Sequence, residues 1–257
     1  MPDRVIWSAP EEAYNTHIAN CLEAWNAISA RMLPSFGRLF QEADIILDKT
    51  LKVAILCHDI GKLSEPWQRY IKKPKDVRKY GPPHATLGAA YLKGLGNKLP
   101  ESCLNAAVLA ILMHHTDSGL AQGNLEHPAE DAINRGIIKY GTEKIRWADG
   151  AETAFKDSSE PLASIQDMLK PLSSISLKDL EEMAKALRLW GRCPKELERH
   201  QRRIQALSIH HVLKVCDWRA ADQRMKSQPE ADEDGDAAIP ELNKSILEEY
   251  LAGGLLP

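Results

Sequence analysis

The sequence predicts an all-α fold on three observations. Apolar residues recur at helical spacing, no stretch alternates convincingly as a half-buried strand would, and clusters of proline and glycine fall where loops between helices are expected. The spacing Ile18, Leu22, Trp25, Ile28 places a first amphipathic helix at roughly 11–31, and helices at roughly 35–48, 50–61 and 64–71 follow. Lys72 to Pro83, with Pro74, Gly81, Pro82 and Pro83, holds too many breakers to continue a helix, so His84 opens a new one at roughly 84–95.

The next helix, roughly 101–115, carries Ala106 to Met113, apolar almost all round and therefore central. An irregular stretch from Thr116 to His127 comes after it. Further helices are expected at roughly 128–139, 142–155, 159–170 and 176–187, and a long one at roughly 195–225 carries Leu207, Val212, Leu213 and Val215. Gln228 to Pro240, with Glu230, Asp232, Glu233, Asp234 and Asp236, reads as an exposed acidic linker before a last helix at roughly 240–252.

The 257 residues read as one domain, 1–257, with a variable helical portion near 140–200 and the acidic linker near 228–240. Hydrophobic residues at 44% and charged residues at 27% exclude a disordered or fibrous class. Cys21, Cys57, Cys103, Cys193 and Cys216 are odd in number and never spaced C-x-x-C, which argues against a disulfide framework or a cysteine zinc site and for a reducing compartment. No signal peptide or bilayer-spanning run is evident, so a cytoplasmic location without membrane contact is expected. With a net charge of −3, bulk electrostatics would not hold nucleic acid, and bound metals, local patches or a partner would have to help.

The chemistry centres on the apolar segment Val53 to Lys62, which presents His58-Asp59 and then Lys62. Adjacent helical residues diverge by about 100°. That divergence suits a metal pair in which Asp59 bridges both ions and His58 binds one. His17 lies on the first helix, His84 begins a helix, and Asp217 sits in the apolar run Val212 to Trp218. His114 and His115 end the central helix, where two polar rings need partners, and the break that follows lets both turn toward one ion. Imidazoles with carboxylates suit first-row transition ions: Mn, Fe, Co, Ni and Zn fit better than Ca.

The order His17, His58-Asp59 with Lys62, His84, His114-His115 and Asp217-Trp218 resembles that of the HD-domain nucleases of CRISPR type I interference systems. The likeness covers the first half of the chain and the region around Asp217. It departs after the histidine pair, where Thr116-Asp117-Ser118 precede Gly119 in place of the glycines that often follow directly. It implies an HD-domain helical bundle with additional helices and two divalent metal ions, among Mn, Ni, Co, Fe, Mg and Zn. His17, His58, Asp59 and Asp217 would hold one ion, and His84, His114, His115 and Asp59 the other. Asp59 and Lys62 would be catalytic, with Lys62 neutralising charge on the reacting phosphate. Two ions a few ångströms apart can clamp a phosphate, acidify water and stabilise the leaving oxygen.

The resemblance further implies a nuclease cutting single-stranded DNA, or RNA, for an RNA-guided CRISPR surveillance complex. A separate helicase subunit would expose the strand, since no P-loop is present. Lys72, Lys73, Lys75, Arg78 and Lys79, interleaved with Trp67, Tyr70 and Tyr80, form a candidate single-strand track leading to His84. Arg199, Arg202 and Arg203 near His200 are expected to face water, His127 to be a loop residue, and His210 to be a satisfied histidine or a neighbour of the site. Cys57 and Cys216 read as buried small hydrophobes. A cyclic-dinucleotide phosphodiesterase or nucleotide phosphohydrolase is an alternative, weakened because Leu120 follows Gly119 where that branch has Gly-Tyr-Pro. A non-catalytic, metal-stabilised binding subunit is another.

Overall fold

The computed structural model describes residues 5–73, 84–114 and 145–227. A small antiparallel hairpin, β1 (Trp7–Ala9) and β2 (Glu12–Ala13), leads into α1 (Tyr14–Phe40) and α2 (Asp44–His58). A 3-10 turn (Ile60–Leu63), α3 (Glu65–Ile71), α4 (Ala85–Gly94) and α5 (Glu101–Met113) follow. The later part holds α6 (Ala151–Ser159), 3-10 turns at Ala163–Met168 and Leu172–Ser174, α7 (Leu177–Gly191) and α8 (Glu196–Ser227). Apart from the hairpin, the elements among the described residues are helical, as the apolar spacing predicts.

α5 is the central element, with every residue from Cys103 to Met113 buried. It packs against α2, α4 and α8, and α1 lies across α2 and α8. Each fully buried aliphatic side chain of this core, such as Leu51, Ile55 or Ile111, contributes about 1.5–3 kcal/mol relative to exposure. Polar contacts fix the register. Trp25 Nε1 donates to Asp48 Oδ1 at 2.9 Å, and the buried Tyr14 hydroxyl donates to the Leu56 carbonyl at 3.3 Å, tying the first turn of α1 to the end of α2.

Several boundaries differ from the sequence expectation. α1 continues through Pro34 in place of a break near 31–35. Pro34 lies on the exposed face, where the carbonyl it leaves without an amide partner meets water. The helix ends at Gln41, whose left-handed backbone (φ 57°) turns its N–H back to the Gly37 carbonyl. The expected helices 35–48 and 50–61 are thus the end of α1 and a single α2. The hairpin escaped prediction because strands of three and two residues are too short to show alternation. The expected helix at 159–170 is a 3-10 turn, whereas α7 starts where Ser176 and Asp179 form a reciprocal capping box. The expected helices at 128–139 and 240–252, the stretch 116–127 with His127, and the linker at 228–240 lie outside the described residues. Among the described residues no helix is long and apolar enough to cross a membrane.

Candidate metal centre

α2 stops at His58, and Asp59 leaves helical geometry (φ −107°, ψ 10°) to enter the 3-10 turn. This end removes the divergence expected of neighbours on one continuous helix. Both side chains enter one cavity, with His58 Nε2 3.4 Å from Asp59 Oδ2. Asp59 is fully buried and stands at the middle of the cluster. Its Oδ2 lies 3.1 Å from His17 Nε2 and 2.7 Å from Lys62 Nζ. Its Oδ1 lies 3.2 Å from His84 Nε2 and 3.6 Å from His114 Nε2. Asp217 Oδ1, from α8, closes the Oδ2 side at 3.3 Å from His17 Nε2 and 4.0 Å from His58 Nε2.

The four described imidazoles form an arc around that carboxylate. Ring centroids are 5.6 Å apart for His17 and His58, 5.2 Å for His58 and His114, and 5.6 Å for His114 and His84. His84 reaches the arc because Gly61 lets its backbone approach: a Cβ on Gly61 would stand 2.6 Å from the His84 carbonyl carbon. Gly88 does the same one turn into α4, against the Cys57 carbonyl. Trp67 packs edge-on against the His84 ring at 4.6 Å.

Tautomers are set by what the other ring nitrogen touches. His58 Nδ1–H donates to the Ile55 carbonyl and His114 Nδ1–H to the Ile111 carbonyl, each at 2.6 Å, so each Nε2 lone pair faces the cavity. His17 Nδ1–H donates to Glu12 Oε1 at 3.3 Å. His58 Nε2 is buried without a hydrogen-bond partner, an arrangement costing about 1–3 kcal/mol unless a ligand is bound. Inward lone pairs, a buried carboxylate and a donor set of imidazole and carboxylate fit divalent cations. Ligand atoms of His17, Cys21, His58 and Asp217 lie within 4.8 Å of one another, as do those of His58, Asp59 and His114.

Burial holds His58 neutral, its pKa pulled down to about 4 against the influence of Asp59, and burial also lowers that of His84. Burial opposes charge on His17, but Cys21, Asp217 and Asp59 outweigh it and raise its pKa. For Asp59, burial is outweighed by His58 and Lys62, and for Asp217 by His17, so both are carboxylates. Lys62, which would face water were it an ordinary helix-end lysine, is buried. It stays charged against that burial because Asp59 and Asp217 surround it, and it also donates to Ser8 Oγ at 3.3 Å.

The structure thus brings together His17, His58, Asp59, Lys62, His84, His114 and Asp217; His115 lies outside the described residues. Lys72 and Lys73 are exposed at the end of α3, while Lys75, Arg78, Lys79 and Tyr80 lie outside the described residues. Trp67 is buried, so it packs the site and offers no open stacking face. Arg202 does not face only water: it pairs with Glu198 and donates to the Trp190 carbonyl. His210 is a buried histidine whose Nε2–H donates to the Met113 carbonyl at 3.1 Å, beside His114. Cys57 and Cys216 are buried. The sequence reading missed Glu12 and Ser8, both buried and both from the hairpin. A carboxylate five residues before His17 was the available signal for Glu12.

α8 supplies three of these contacts from one stripe, His210, Asp217 and Arg224, the last with Nη1 3.4 Å from Glu12 Oε2. Residues seven apart lie about two turns apart on nearly the same face.

The family model described as "Cas3, HD domain" matches residues 15–226. The chain is 24% identical over 227 residues to the CRISPR-associated endonuclease Cas3-HD of Pyrococcus furiosus, covering 83% of this chain and 90% of that one. It is 23% identical over 225 residues to the CRISPR-associated endonuclease Cas3-HD of Methanocaldococcus jannaschii, covering 83% and 87%. The solved structure of the CRISPR-associated Cas3 HD domain protein from Methanocaldococcus jannaschii superposes with a TM-score of 0.59 at 16% identity, covering 81% of this chain and 98% of that one, which is a likeness of fold.

Proposed function

The chain belongs to the Cas3 HD-domain family of metal-dependent nucleases, and from that premise we propose that it hydrolyses phosphodiester bonds of single-stranded DNA in CRISPR interference. One observation carries the reading: the two oxygens of the buried Asp59 carboxylate face different histidines, Oδ2 toward His17 and Oδ1 toward His84. Asp59 would then be shared between two divalent cations. His17, His58 and Asp217 complete one ligand set, and His84, His114 and, by its adjacency, His115 the other. Mn, Fe, Co, Ni or Zn suits these donors, with Mg a further candidate.

Bound there, the ions would supply Lewis acidity toward a phosphate and acidify water at neutral pH. The chain's own groups do the rest. The His58 and His114 carbonyl contacts keep the ring lone pairs aimed inward, and Lys62 holds a buried positive charge beside Asp59, where negative charge on a reacting phosphate would gather. Lys72 and Lys73, exposed at the end of α3, with Lys75, Arg78 and Lys79 next in the sequence, would draw the backbone phosphates of a strand. A strand freed by a separate helicase subunit, at a site chosen by an RNA-guided surveillance complex, is the substrate this reading requires.

The test is to offer labelled single-stranded DNA, double-stranded DNA, single-stranded RNA and cyclic dinucleotides to the pure protein with Mn²⁺, Ni²⁺ or Mg²⁺. Preferential cutting of single-stranded DNA supports the proposal. Cleavage confined to the cyclic substrate, or to none, overturns it.

A further inference from the structure

His17 differs from its neighbours in what orients it. His58 and His114 donate their Nδ1–H to carbonyls of their own helices, Ile55 and Ile111, partners that no side-chain change removes. His17 stands in the first turn of α1, directly after the hairpin, and its Nδ1–H goes to a side chain, Glu12 Oε1 at 3.3 Å. Glu12 is 4% exposed, and its second oxygen lies 3.4 Å from Arg224 Nη1 on α8. Glu12 precedes the 15–226 segment that defines the family match.

We propose that Glu12 is a positioning residue of the metal centre: it orients and strengthens His17 as a ligand through Nδ1, and Arg224 holds Glu12 in place. A carboxylate accepting the far N–H of a ligating imidazole fixes its tautomer and raises its basicity toward the ion. Arg224 places a counter-charge 3.4 Å from the buried carboxylate, and a buried charge needs such a partner. The hairpin makes the arrangement possible: Glu11 takes a left-handed backbone (φ 63°) at its turn, and Tyr14 N–H bonds the Ile6 carbonyl at 2.8 Å, which seats Glu12 under the start of α1. The inference rests on His17 being a ligand, as proposed above.

The experiment titrates Co²⁺ into the full chain, following its visible absorption, for wild type, Glu12→Ala, Glu12→Gln, Arg224→Gln and His17→Ala. Zn²⁺-loaded samples are also compared by long-range proton–nitrogen NMR of the His17 ring. Glu12→Ala is expected to weaken one of two cation affinities by about 10–100-fold while sparing the other, and to abolish the protected Nδ1 proton signal of His17. Glu12→Gln, which keeps an acceptor without its charge, falls between, and Arg224→Gln shows a smaller loss in the same site. Wild-type affinity in both Glu12 variants overturns the inference, and if Glu12→Ala does not fold, wild-type affinity in Glu12→Gln alone does so. If His17→Ala itself binds both ions as wild type does, the assignment of His17 as a ligand is what falls.

Discussion

Gly61 and His84 are in such close backbone contact that any side chain on Gly61 would overlap the main chain of His84. The glycine is therefore what allows a residue opening α4 to join ligands from α2. Gly61→Ala is expected to push His84 away from Asp59 and to lower both cation affinity on that side and nuclease activity at least tenfold. Overpacking of this kind costs about 1–3 kcal/mol of stability. Isothermal titration and a urea melt read the two effects, and wild-type values in both would contradict the close approach.

Asp59→Ala should abolish activity more completely than His17→Ala, because the carboxylate faces both histidine groups and the ring only one. Single-turnover cleavage with metal counting by mass spectrometry measures the difference. An Asp59→Ala protein that still binds two equivalents and cuts normally would refute the bridge.

Metal addition should stabilise the fold, since the buried His58 Nε2 has no hydrogen bond to lose. At a free cation concentration about 100 times the dissociation constant the gain is about 2.7 kcal/mol, or roughly 5–10 °C in Tm for a chain of this size. The affinity should rise with pH, because the raised pKa of His17 means that a proton must leave as an ion arrives. Thermal melts in EDTA and in Mn²⁺ at two pH values check both statements, and equal melts would count against a built site.

Acid should destabilise the metal-free protein between pH about 6.5 and about 4. Burial lowers the pKa of His210 to about 4, as it does for His58, so the unfolded chain binds more protons than the fold across that window. Stability is then full above the unfolded value and is lost as pH falls toward the folded one. His17, raised instead, titrates above the window. His210→Gln keeps a donor for the Met113 carbonyl without a titrating ring, and its denaturation midpoint should fall less steeply, by about 1.4 kcal/mol per pH unit at most. Identical slopes in EDTA would disprove the assignment.

The helical class and most of the cluster were legible in the sequence because chemistry-bearing residues interrupt otherwise apolar helices. His58, His114 and Asp217 each stand where a hydrophobe would pack, and a polar group kept there needs a reason. What was illegible is what acts through chain geometry. Pro34 reads as a breaker but sits where water can solvate the carbonyl it leaves without a partner, whereas Gln41, with no breaker identity, ends the helix through its φ. Glu12 carries no motif beyond lying five residues before His17, and the fold of the hairpin is what brings it to the ring. Trp67 was read as an open stacking surface from its basic neighbours, but its ring is spent on packing His84.

The stripe on α8 makes that helix intolerant of changes in phase. His210, Asp217 and Arg224 contact three separate parts of the molecule, the end of α5, the imidazole cluster and the hairpin. Inserting or deleting one residue between them would rotate everything downstream by about 100°, breaking the later contacts at a stroke while leaving the helix itself intact. Related chains should therefore vary in length before Glu196 or after Ser227, and keep the interval from 210 to 224 uncut.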